Sequence, residues 1–175
     1  SGLVRYYKGS ARDGAVASRW LNGSVVDFRK YLAAVDEKAD MSAAAQAHLY
    51  LARALVRLAA VDKANSATLL GRAKDDADQA ARLNAYDAEA PTVQAVIAAR
   101  MNAPAALTQS YLSKAIAAAP LDGTARVNAA VLDSAQGKFP DAEKQLNNAG
   151  AMYEINGKAV PASVTQLKAA IAKQR

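Results

Sequence analysis

Runs rich in alanine and leucine alternate along the chain with short clusters of Gly, Pro, Asn, Asp and Ser. The runs read as helices and the clusters as their breaks, and no segment alternates with the period of two that a half-buried strand requires. The pattern predicts helices over 11–21, 25–36, 41–60, 66–83, 88–102, 104–119, 123–136, 140–154 and 161–173. Asn22-Gly23-Ser24 predicts a turn, with Ser24 capping the helix after it. Asp40 or Ser42 can cap the third helix, and Asn65 or Ser66 the fourth. Pro104, Pro140 and Pro161 stand where the start of a helix tolerates proline, and Pro120 stops the run KAIAAA. The opening LVRYY is the one place where a short extended piece fits.

Many helices joined by short turns leave a bundle or a solenoid, and internal repetition decides between them. An offset of 34 residues takes Ala103 to Gly137, Ala115 to Ala149, Val96 to Ala130 and Leu112 to Leu146. Small residues return to small ones and Leu to Leu, at the period of a helix–turn–helix repeat. The stretch GKFPDAEKQLNNA (137–149) explains the spacing. Gly137 ends one helix where a left-handed residue costs least. Phe139 packs into the turn, Ala142 lets the second helix approach the first, and Leu146 and Ala149 follow on the same face.

These residues resemble the tetratricopeptide repeat. The best match is 123–154, with Asn128, Ala130, Gln136, Gly137, Phe139, Ala142, Leu146 and Ala149 at the signature places. Arg126 stands in place of the family's large first-helix residue and Asp133 in place of its mid-helix tyrosine. A repeat over 88–120 keeps KAIAAAP, with Ala103 for the glycine and Thr108 for the second-helix alanine. A unit over 41–85 keeps Leu51-Ala52, Ala73 and Ala80, with an inter-helix stretch around VDKANSATL longer than the family's. Residues 11–37 read as a degenerate hairpin with Trp20 and Phe28 in its core, and 161–173 as a capping helix. The resemblance implies one all-α domain over 1–175, a right-handed α-α superhelix of antiparallel helix pairs.

Composition agrees with helices: about a quarter of the residues are alanine, and aromatics make up 6%. The chain has no cysteine, so thiolate metal sites and cysteine nucleophiles are excluded. The net charge of +6 is spread along the chain, with no Lys/Arg run longer than Arg29-Lys30. That argues against specific nucleic-acid binding. No apolar run is long enough to span a bilayer.

Catalytic signatures are missing: no GxGxxG, P-loop or GxSxG occurs. His48 is the single histidine and reads as a helix-surface or groove residue. Asp75, Asp76 and Asp78 read as a solvated helix face, because neighbouring positions point apart and Arg72, Lys74 and Arg82 are near. No cofactor is expected.

The resemblance implies a site on the first helix of each repeat. It carries over to Gln46, Leu49, Arg53, Val56 and Arg57, then Val93, Ile97, Arg100 and Met101, then Thr124, Val127, Val131 and Ser134. That wall is apolar with three arginines and suits a protein or peptide partner carrying acidic groups. The same apolar residues also read as core between repeats. The family's clamp for chaperone C-termini needs Lys and Asn where Val127 and Val131 stand, so that role is not implied. The stretch VNAAVLDSAQGKFPDAEKQL is similar to bacterial envelope lipoproteins that help assemble pili of the tight-adherence type. The resemblance therefore implies a non-enzymatic scaffold or adaptor, in the periplasm or envelope, with a cytoplasmic place as the alternative. A self-assembling homo-oligomer and a small-molecule-binding accessory protein, with Tyr50, Tyr86 and Arg100 near a pocket, are the other readings.

Overall fold

The computed structural model of the chain describes residues 1–174. Nine helices and no strand are present among them: α1 (Gly2–Ser10), α2 (Gly14–Ala34), α3 (Met41–Val61), α4 (Ser66–Leu83), α5 (Glu89–Arg100), α6 (Ala105–Ala118), α7 (Gly123–Ala135), α8 (Phe139–Ile155) and α9 (Ala162–Ala172). Each helix packs on its neighbours in the chain. The odd-numbered helices also touch the next odd one, and no more distant pair meets. That one-dimensional neighbour pattern is an α-α solenoid, in which odd helices share one face.

The ends of the helices follow from local chemistry. Asp40 caps α3 by accepting a hydrogen bond from the Ala43 amide at 3.0 Å. Beyond α7, Gly137 takes φ +72°, and the Lys138 and Gly137 amides donate to the Asp133 and Ser134 carbonyls at 2.9 and 3.0 Å. This Schellman closure satisfies carbonyls that the helix leaves free. Gly157 closes α8 in the same way, with the Lys158 amide on the Tyr153 carbonyl at 2.8 Å. After α5 the left-handed residue is Asn102, at φ 53°, and not Ala103. Asparagine tolerates that conformation where alanine does not, so this turn comes one residue earlier than the 34-residue offset predicts.

Three expectations need correcting. LVRYY is not extended; it lies in α1. Asn22-Gly23-Ser24 is not a turn, because α2 runs unbroken through it, so 11–37 is not a hairpin and α2 pairs with α1 instead. The supposed turn residues are contact residues. A Cβ on Gly23 would stand 3.0 Å from Arg5 Cδ, and the buried Ser24 hydroxyl donates to the Gly2 carbonyl at 2.9 Å. Lastly, the extra length of the 41–85 unit lies in α3 and α4 themselves, which have 21 and 18 residues. The connection between them is short.

Packing depends on small residues. Ala52, Ala73 and Ala77 are fully buried where α3 meets α4, and Ala130, Ala142 and Ala149 where α7 meets α8. Leucines fill the flanks: Leu55 in the first pair, Leu146 in the last. On α1 glycine does the same work, since a Cβ on Gly9 would stand 2.8 Å from Leu21 Cγ and 3.1 Å from the Leu21 backbone nitrogen. Val164 and Ile171 of α9 are buried in the C-terminal core, as a capping helix requires.

A charged staple joins the first helix pair to the second. His48 of α3 has Nδ1 2.8 Å from Asp76 Oδ1 on α4, and Nε2 3.2 Å from Glu37 Oε1 in the α2–α3 loop. The Gln79 amide donates to the other oxygen of Glu37 at 3.2 Å. Asp76 is thus not part of a solvated face, and Asp78 is held by Lys74 and Gln94. Two carboxylates against two ring nitrogens need both nitrogens to donate, which only the imidazolium does. Burial by itself would lower the pKa of His48. The hydrogen bonds and charges of Asp76 and Glu37 outweigh it and raise the pKa.

Two outcomes follow. Gly9→Ala destabilises the fold by about 1–2 kcal/mol through overpacking. Gly71→Ala, where a Cβ meets open space in the middle of α4, stabilises it by about 0.5–1 kcal/mol. Urea unfolding of both variants measures this, and equal shifts would contradict the close approach of α1 to α2. The His48 staple is at full strength below the unfolded histidine pKa of about 6.5 and is lost as pH rises through the raised folded pKa. His48→Gln therefore costs about 1–2 kcal/mol at low pH and less at high pH. Stability curves for the two proteins that run parallel across pH would rule the staple out.

Candidate functional site

A concavity of about 460 Å³ on the odd-helix face lies between α1, the start of α2, α3 and α5. Its apolar floor includes Val56, Val93 and Val96, and four arginines line it: Arg12, Arg53, Arg57 and Arg100. The arginines come from elements that repeat packing brings together. Arg53 and Arg57 stand one turn apart on α3. Arg100 ends α5, the next odd helix. Arg12 follows α1, the previous one.

The four guanidinium groups are not equivalent. Arg53 pairs with Glu89 at 3.1 Å and lies 5.7 Å from the centre of the Tyr50 ring. Arg57 donates to the Ser10 carbonyl at 3.4 Å, at the C-terminal end of α1 where the helix dipole favours a cation, and lies over Tyr6. Arg100 donates to the Val56 carbonyl at 3.0 Å. Arg12, Arg57 and Arg100 form no ion pair among the described residues. Asp13 is the one acid lining the cleft. The Ser10 hydroxyl, also in the lining, is buried without a protein partner.

An aromatic cluster braces the wall. Phe28 stacks on Tyr50 with centroids 5.9 Å apart and planes 9° apart, and Tyr6 meets Tyr50 edge-on at 5.7 Å. Tyr7 and Tyr50 share a hydrogen bond of 3.3 Å between their hydroxyls. That bond, with burial, raises the Tyr50 pKa, and Arg53 opposes the rise only in part.

The structure divides the predicted wall. Arg53, Val56, Arg57, Val93 and Arg100 share the cleft. Leu49 and Ile97 do not line it; each is 1% exposed and belongs to the core, where their leucine and isoleucine side chains fill space beside the small contact residues. Gln46 lines a separate hollow beside Phe28, Tyr31 and Tyr50. Met101 lines a small apolar cleft with Leu107 and Tyr111. Val127 packs on the C-terminal core, while Val131 is exposed and Ser134 and Thr124 lie apart from the arginines. Tyr86 is exposed and shares no pocket with Tyr50 and Arg100. Sequence reading missed Arg12, Tyr6 and Ser10, because it does not place a helix at α1. The signal was present in Gly2 and Gly9, seven residues apart and on one helical face.

No family model matches the chain, and no curated protein matches it. Among solved structures it is similar to a thermophilic TPR protein of Thermus thermophilus, with a TM-score of 0.70 and 15% sequence identity. The match covers 99% of this chain and 80% of that one. Likeness at that identity speaks for the fold: the chain is an all-α solenoid of the tetratricopeptide-repeat type.

Proposed function

We propose that the chain is a non-enzymatic scaffold that holds a protein partner, with an acidic segment of that partner lying in the arginine cleft. The observation that carries this is the set of three guanidinium groups, Arg12, Arg57 and Arg100, that face one cleft and form no ion pair among the described residues, with Asp13 the one acid in the lining. A guanidinium matches a carboxylate with two parallel hydrogen bonds, and a charged hydrogen bond contributes about 1.5–3 kcal/mol. The apolar floor adds contacts for the segment's other side chains. The solenoid architecture supports a scaffold, since stacked repeats present extended surfaces, although a fold alone does not fix a function.

The finer placement is assembly of a bacterial envelope machine, a tight-adherence pilus among them, in the periplasm. Its support is the likeness of VNAAVLDSAQGKFPDAEKQL to lipoproteins of those machines. No helix among the described residues is long and apolar enough to cross a membrane. Self-assembly draws less support, because α9 buries Val164 and Ile171 over the last helix pair.

Selection from a displayed random-peptide library tests the cleft. Enriched peptides are expected to carry Asp or Glu and to bind about tenfold or more weakly to an Arg57→Glu/Arg100→Glu variant of unchanged helicity. Their binding is also expected to weaken with added salt. Enrichment of neutral or basic peptides, or equal binding to the variant, would refute the reading.

A further inference from the structure

At the other end of the solenoid the α7–α8 turn and the start of α6 enclose a polar hollow of about 450 Å³. It shares no residue with the arginine cleft. Asp133 of α7 lines it and is only 8% exposed. Its backbone carbonyl is satisfied by the Lys138 and Gln136 amides at 2.9 and 3.1 Å. Its carboxylate, in contrast, receives no hydrogen bond and forms no ion pair among the described residues. Burial, and then the charge of Asp141, raises the pKa of the Asp133 carboxyl from its ordinary value, with Lys138 opposing in part.

A second acceptor faces the same want. Gln145 of α8 lines the hollow, and its side-chain oxygen is buried with no partner. The Gln145 oxygen is a buried acceptor left unsatisfied, which is costly, while the Asp133 carboxylate oxygens still reach the hollow's solvent, and a donor that carries positive charge suits both. A metal ion is a poor candidate, because the described residues hold no cluster of three or more ligating side chains. Ala105 and Ala106 at the start of α6 are exposed and line the hollow as its apolar residues. Lys138 and Lys144 line the hollow as well, but both are exposed and neither pairs with Asp133.

We propose that this hollow binds a primary ammonium group on an aliphatic stem, with Asp133 and Gln145 Oε1 accepting its protons and the alanines covering its methylenes. A lysine side chain of a protein partner and a small diamine both carry that chemistry. The inference does not depend on the acidic-peptide reading of the other cleft, since the residues differ and the ligand has the opposite charge.

Backbone amide NMR of the whole chain tests it, with three probes: N-acetyl-lysine methylamide, diaminobutane and, as the neutral isostere, N-acetyl-norleucine methylamide. The ammonium compounds are expected to give saturable shifts at Asp133, Gln136 and Gln145, and the norleucine compound none. Whichever of the first two binds more tightly identifies the source. Asp133→Asn is expected to weaken binding about tenfold or more. No saturable shift, an equal response to norleucine, or unchanged binding by Asp133→Asn would overturn the proposal. A readout on the wild type does not depend on that variant folding: saturating ammonium ligand lowers the titration midpoint of the Asp133 carboxyl. A midpoint that does not move overturns it. So does a midpoint that lies below the ordinary range in the free protein and rises in Lys138→Met, for then Lys138 itself fills the site.

Discussion

Close approach of helix backbones across alanine and glycine is the constraint on which the rest of the molecule depends. A buried alanine methyl contributes only about 0.8 kcal/mol by transfer from water. Its larger effect is geometric. Fully buried alanines such as Ala52, Ala73, Ala130 and Ala142 bring the axes together, so that Leu55 and Leu146 on the flanks can fill the space between pairs. A larger side chain at any of these places would separate two helices along their length. The same requirement explains the glycines of α1: Gly2 and Gly9 let a helix of nine residues lie against α2. A helix that short is marginal alone in water and takes its stability from packing.

Since each helix meets only its chain neighbours and, for the odd helices, the next odd one, cohesion varies along the chain. One large core joins α1 to α5, another smaller one joins α7 to α9, and between them lies a core of only Ala95, Leu112 and Ala129, supported by Tyr111 and Leu132. The arginine cleft belongs to the large core. Its wall is also braced by the aromatic cluster of Tyr6, Phe28 and Tyr50 and by the His48 staple, which ties the α2–α3 loop to α3 and α4. Side chains on rigid elements hold their geometry better than those on loops, and three of the four arginines stand on helices. The face that receives Arg53, Arg57 and Arg100 is thus set by the stacking of odd helices, not by any local motif.

Periodicity and turn chemistry made most helices legible. The span 66–83 coincides with α4, and Gly137 closes α7 as its position in the repeat requires. What misled was residue type serving a second purpose. Glycine and serine break helices, but Gly23 and Ser24 are there because α1 comes close. Asparagine took the left-handed place that the repeat offset assigned to Ala103. The site was legible only in part for a related reason. On one helix face Arg53 and Arg57 point to the cleft while Leu49, a turn earlier, points to the core, and a pattern of positions cannot separate the two without the neighbouring helix. His48 and Asp76 lie 28 residues apart, so their pairing has no local signal at all.

Two polar concavities of opposite character stand on two different cores. One is lined by four arginines, of which only Arg53 is in an ion pair among the described residues, and a carboxylate and an amide oxygen with no protein donor lie in the other. In a solenoid, energy passes between distant elements only through the neighbours that link them, and here the link is the small core around Ala95, Leu112 and Ala129. Occupying one concavity changes the other only as far as that junction shifts between discrete arrangements. On the two proposed readings, the concavities would take groups of opposite charge with nearly independent affinities. Independence of that kind is what the proposed scaffold would need for partners that bind in either order.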